Sequence, residues 1–209
     1  MPWIDITRTM DETLLTWPGR ELPHCQWEKR IATGHHCNVS FWEMSAHTGT
    51  HMDAPLHFAE GGKSIDQIAP EVFLGRCRVL DLAQHRNMLL DEEDVLQYKG
   101  AERLLIKTSH SHTSRTVEYP PHEALMTEAA VSLLIDGGLI FLGTDRLSVD
   151  DSHGKSFELH HVLLGAGCVI VEGLLLNDVS AGEYSLMAMP LKFAGAEASP
   201  IRAFLEYEG

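Results

Sequence analysis

The sequence predicts a mixed α/β fold built around one large core. Two observations carry that prediction. A helical segment, a glycine stop and an apolar strand follow one another twice, over residues 127–145 and 156–174. Several other short runs rich in β-branched and large apolar residues lie outside those two units. A sheet that must also hold them is mixed rather than purely parallel. At 209 residues the chain has the length of one domain, 1–209, with room for an appended arm.

The elements follow in order. Residues 37–45 read as a strand bounded by turn signals. Gly75 precedes a strand over 76–82, where alternation sets Cys77, Val79 and Asp81 on one face and Arg78, Leu80 and Leu82 on the other. Residues 91–98 open with acidic side chains, which suit the positive end of a helix. A strand is predicted over 103–108. The helix over 127–136 starts at a Thr127 cap and stops at Gly137-Gly138, ahead of a strand over 139–145. The helix over 156–164 is apolar on one side and ends at Gly165-Ala166-Gly167, ahead of a strand over 168–174. Strands over 184–192 and 201–207 complete the chain. The last sets Ile201, Ala203, Leu205 and Tyr207 against Arg202, Phe204 and Glu206.

Composition narrows the function. Hydrophobic residues make up 44% and charged residues 22%, as in an ordinary soluble protein. A net charge of −14 disfavours non-specific binding to nucleic acid or an anionic membrane. No apolar run is long enough to span a bilayer, and Met1-Pro2-Trp3-Ile4-Asp5 does not begin a signal peptide. The four cysteines form no CxxC pair and read as reduced, structural thiols of a cytoplasmic protein. No P-loop and no GxGxxG is present, and Ser111, Ser148 and Ser152 lack the setting of a nucleophile elbow, which leaves them as turn or pocket residues.

The chemistry concentrates in Ala46-His47-Thr48-Gly49-Thr50-His51-Met52-Asp53-Ala54-Pro55-Leu56-His57-Phe58. Neutral imidazole and carboxylate are metal ligands, and imidazole also moves protons near neutral pH. On a helix His47 and His51 would share a face, but Asp53 would lie about 200° from His51. In an extended segment His47, His51, Asp53 and His57 all share one face. A straight strand would spread them over roughly 33 Å, so the segment must bend, and Gly49 and Pro55 are where it can. An irregular strand-to-loop segment is therefore expected, with His47, His51 and Asp53 at a metal and His57 slightly farther away.

Glu172 lies inside the apolar run Cys168-Val169-Ile170-Val171-Glu172-Gly173-Leu174. A charge there is expensive to bury unless paired or metal-bound, although Gly173 also permits an exposed strand end. His160-His161 precedes it on the predicted helix. Adjacent side chains on a helix point about 100° apart, so one of the pair faces the site and the other packs or meets solvent. His35-His36, His110, His112 and His153 are weaker candidates.

The run His47-Thr48-Gly49-Thr50-His51-Met52-Asp53-Ala54-Pro55-Leu56-His57 resembles the HxGTHxDxPxH signature of the metal-dependent cyclase family, whose best-known members are bacterial kynurenine formamidases. The resemblance extends to Thr16-Trp17-Pro18-Gly19, to Gly143-Thr144-Asp145 and to the stretch from Met189-Pro190-Leu191-Lys192-Phe193 to Ala198-Ser199-Pro200-Ile201-Arg202-Ala203. The chain departs from the formamidase pattern at Arg20, over 107–113 and at Arg146-Leu147-Ser148. The resemblance implies a swivelling β/β/α fold, assembled as a homodimer or homotetramer in which a partner's N-terminal segment can help shape the pocket. It implies that His47, His51 and Asp53 bind one divalent metal, with Asp53 bridging to a second held by His160 and Glu172. Zinc is the implied ion, with manganese the alternative for such ligands. His57 matches a proton-transferring histidine and Trp17 an aromatic that contacts an aryl substrate. The implied reaction is hydrolysis of a small amide, with N-formylkynurenine leading. The rival substrates are isatin-like cyclic amides and lactones. The non-enzymatic rivals are a structural metalloprotein and a small-molecule binding protein.

Overall fold

The computed structural model describes residues 3–11, 13–17, 19, 21–82, 89–112 and 121–207. Met1, Pro2, Pro18, Arg20 and Thr113, which the sequence reading also uses, lie outside the described residues.

The main sheet has eight strands: β1 (Ile4–Asp5), β4 (His51–Asp53), β5 (Leu74–Asp81), β6 (Arg103–Lys107), β7 (Phe141–Thr144), β8 (Val169–Glu172), β9 (Gly182–Pro190) and β10 (Ala198–Tyr207). Their order is β1-β10-β4-β8-β7-β6-β5-β9, and β9 pairs back onto β10, so the sheet closes on itself. β5, β6, β7 and β8 run parallel to one another, and the remaining pairings are antiparallel. The mixed α/β expectation is met. A separate hairpin pairs β2 (His24–Lys29) with β3 (Val39–Glu43) and leaves Trp27, Phe41 and Trp42 exposed. This is the appended arm. The polar stretch that forms β2 gives no strand signal in sequence.

Strand alternation makes two cores. Inside the closed sheet, Cys77, Val79, Leu105, Phe141, Val169, Val171, Ala203 and Leu205 meet one another. Outside it, Leu104, Ile106, Leu142 and Ile170 lie under α1 (Glu92–Val95), α2 (Glu128–Asp136) and α3 (Glu158–Gly165). The parallel strands are thus apolar on both faces. Each fully buried Leu or Ile contributes about 1.5–3 kcal/mol. The predicted helix over 91–98 is shorter than expected: α1 ends at Val95 and a 3-10 turn, Leu96–Tyr98, follows. The Thr127 cap forms as expected, its hydroxyl accepting from Ala130 N at 3.1 Å. Tyr207 keeps the predicted face, its ring 5.2 Å from that of Tyr184, but is exposed at the strand end.

Candidate metal centre

The bent segment forms at the predicted hinges. Gly49 adopts φ +66°, β4 carries His51 and Asp53, and Pro55 opens the 3-10 turn Pro55–His57. Met52 points into the inner core, so His51 and Asp53 project from the outer face, toward α3. On β8 the same alternation sends Val171 inward and Glu172 outward. The antiparallel register sets His51 opposite Glu172. Gly173 completes the fit: it has φ +69°, and a Cβ there would lie 2.5 Å from Gly49 O. The Thr50 hydroxyl donates to Gly173 O at 2.7 Å and fastens the turn to the end of β8.

Two ligand groups result, His47–His51–Asp53 and Asp53–His160–Glu172, and either could hold a metal ion. Asp53 belongs to both. Its Oδ1 lies 2.9 Å from His47 Nδ1 and 3.7 Å from His51 Nε2, and its Oδ2 lies 3.7 Å from His160 Nε2. Yet neither oxygen of this 1% exposed carboxylate receives a well-aligned hydrogen bond. Glu172 Oε1 lies 3.4 Å from His160 Nε2. It also accepts from Val149 N at 3.0 Å.

The imidazoles are held from behind. His51 Nδ1 donates to Gly49 O at 3.0 Å, which turns Nε2 toward Asp53 and Glu172. His160 Nδ1 meets Asp150 Oδ2 at 2.5 Å, which aims Nε2 at the same two carboxylates. His47 Nε2 meets Glu197 Oε1 at 3.1 Å, which leaves Nδ1 for Asp53. Such outer partners fix ring orientation and tautomer in metal sites. Asp150 and Glu197 escape the sequence reading. Asp150 also caps α3 by accepting from Leu159 N at 2.8 Å and His160 N at 3.2 Å. The acidic pair Asp150-Asp151 ahead of the predicted helix is the one signal that could have drawn attention to it.

The electrostatics demand positive charge. Burial by itself would raise the Asp53 carboxyl, but His160, His47 and His51 hold it well below the usual carboxylate range. Burial would lower His160, yet Asp150, Asp53 and Glu172 push it up to about 12. His47 is likewise raised against burial by Asp53 and Glu197. A proton on such a ring is standing in for a cation. Together with the open Asp53 oxygens, this donor set fits a divalent metal.

His57 differs from the others. It is half-buried, 4.4 Å from His47 and 6.1 Å from His160 between ring centroids. Burial pushes it down to about 4, which keeps the ring neutral at neutral pH. A cavity of about 190 Å³ opens onto these groups. Leu15, Trp17, Phe58, Leu147 and Phe157 form its apolar wall, with Thr16 and Ser148 beside them. His160 is buried at the site and His161 is exposed, which resolves the pair. Among the described residues, His35, His36, His110 and His153 join neither ligand group, and the side chain of His112 lies outside the described part of the chain.

The family model described as "Putative cyclase" matches residues 4–151. The chain belongs to the cyclase family. This cyclase-family chain is 37% identical to the kynurenine formamidase of Geobacillus thermodenitrificans, over 100% of its own length and 99% of that relative's. A solved structure described as a predicted metal-dependent hydrolase from Bacillus stearothermophilus superposes with a TM-score of 0.80 at 28% identity, covering 98% of this chain and 97% of that one. Isatin hydrolase A from Labrenzia aggregata superposes at 0.82 and 22% identity, covering 100% and 94%, a likeness of fold.

Proposed function

We propose that this protein is a metal-dependent amidohydrolase that cleaves N-formylkynurenine to kynurenine and formate, a step of tryptophan degradation. The observation that carries the reaction class is Asp53: a buried carboxylate, open on both oxygens, shared by two histidine-bearing groups at the floor of a cavity. The near full-length similarity to a kynurenine formamidase supports the substrate. A closed structural zinc site has four protein ligands and is usually rich in cysteine, whereas this one is built from His and carboxylate and faces a cavity.

In this reading His47, His51 and Asp53 hold one ion, and Asp53, His160 and Glu172 a second. Zinc suits these ligands, and manganese is the alternative. A metal held by these residues would supply a Lewis acid for the formyl carbonyl and for a water. His57 takes a proton from the attacking water and returns it to the departing arylamine. Trp17 packs against the aryl ring. The apolar wall limits bulk water around the reacting groups.

The working form is proposed to be a cytoplasmic homodimer or homotetramer of a single catalytic domain, 1–209. The exposed aromatics of the β2–β3 hairpin support a partner surface, and four free cysteines support a reducing compartment. Among the described residues no helix is long and apolar enough to cross a membrane.

The test is release of formate and kynurenine from N-formylkynurenine by zinc-loaded protein. His57→Ala is expected to keep its zinc and lose about 100- to 10,000-fold in kcat. Near-normal turnover by that variant would remove His57 from the proton path. Turnover of another amide, with none of N-formylkynurenine, would discard the substrate.

A further inference from the structure

Phe157 has φ +50°, ψ +45°, the one non-glycine residue with positive φ among the described residues. The left-handed region is unfavourable for a bulky L-residue, and such strain persists where the surrounding structure over-determines it. Glycine would adopt this backbone without strain. The side chain therefore needs a reason to be there.

Its position supplies one. Phe157 stands at the N-cap of α3, and its side chain makes no cap hydrogen bond. Its ring instead lines the cavity over the ligand cluster, 5.5 Å from the Phe58 ring and 6.0 Å from the His160 ring. Phe157 is half-buried, as are Trp17 and Phe58. Three aromatic side chains from three separate segments thus border one small cavity. The backbone turn at Phe157 is what brings the third ring to that border.

We propose that Phe157 is a specificity-determining residue: its strained backbone places an aromatic ring against the aryl group of the substrate. The inference rests on the aryl-formamide reading above and deepens it. Aromatic rings prefer offset or edge-to-face contact with one another, an attraction beyond what buried area supplies. A site walled by Phe157 and Trp17 therefore discriminates a planar aromatic ring from a saturated ring of similar size. His160, whose ring lies 6.0 Å from that of Phe157, keeps its own support from Asp150, so loss of the Phe157 ring need not loosen His160.

The test compares Phe157→Ala, Phe157→Gly and Phe157→Tyr with the parent, all zinc-loaded. The probes are two uncharged carboxamides of similar shape, benzamide and cyclohexanecarboxamide, whose dissociation constants are measured by direct titration. N-formylkynurenine supplies KM and kcat. The parent is expected to prefer benzamide. The Ala and Gly variants should lose most of that preference, about three- to tenfold, and raise KM by about tenfold with a smaller change in kcat. Tyr should keep both. Phe157→Gly should melt no lower than Phe157→Ala, because only glycine tolerates the backbone.

An unchanged benzamide preference in the Ala and Gly variants overturns the proposal. So does a fall in zinc content or kcat with KM unchanged, which would make Phe157 a prop for His160. If the parent binds benzamide through Phe157 but does not turn over N-formylkynurenine, the substrate reading fails and the role of Phe157 stands.

Discussion

At the scale of single residues, the site depends on how each imidazole is backed. His51 leans on a neutral carbonyl, Gly49 O, whereas His160 leans on the Asp150 carboxylate. The carboxylate holds its proton firmly on Nδ1 and makes Nε2 the better donor to a cation. Asp150→Asn should therefore weaken metal binding at Asp53–His160–Glu172 by about 10- to 100-fold and leave His47–His51–Asp53 the tighter site. Calorimetric titration of zinc into metal-free protein would resolve this as two unequal steps. Equal affinities in parent and variant would deny Asp150 that role. His47, His51, Asp53 and His57 were legible from sequence because they lie close in the chain and share one parity. Asp150 and Glu197 were not. Glu197 reaches His47 across 150 positions, and nothing local marks a carboxylate for a distant ring.

At the scale of elements, the site is a pairing of two short strands. β4 carries two candidate ligands outward and β8 a third, and register alone brings His51 opposite Glu172. That register is secured where Gly173 and the Gly49–Thr50 turn touch. Gly173→Ala would place a methyl 2.5 Å from Gly49 O on a backbone at φ +69°. The expected loss is about 1–3 kcal/mol of stability, read by urea unfolding, together with weaker metal binding as the His51 turn is pushed away. A variant as stable as the parent would show that the turn can yield. Elements with strong local signals were read well: the glycine stops and the Thr127 cap bound α2 and α3 closely. β1 and β2 were missed. β1 is only 2 residues long, and β2 is largely exposed and stabilised by pairing with β3.

At the scale of the whole molecule, closure of the sheet makes a site from distant parts of the chain. β10 pairs with β1 and β4 along one edge and with β9 along the other, so the C-terminal strand flanks the strand that carries His51 and Asp53. Strand order of this kind is non-local. The alternation in 201–207 predicted which side chains share a face, but not which strands they would lie between. The two hydrophobic cores join the sheet and helices and include none of the candidate ligands. Metal removal is thus expected to stop catalysis and spare the fold, unlike a structural zinc site, where chelation unfolds the chain. The most direct measurement is formate release from N-formylkynurenine before chelation, after chelation and after zinc is restored, with circular dichroism followed in parallel. The account predicts turnover that disappears and returns while the spectrum stays folded. Turnover that survives full removal of metal, or a chain that unfolds when metal is taken away, would contradict it.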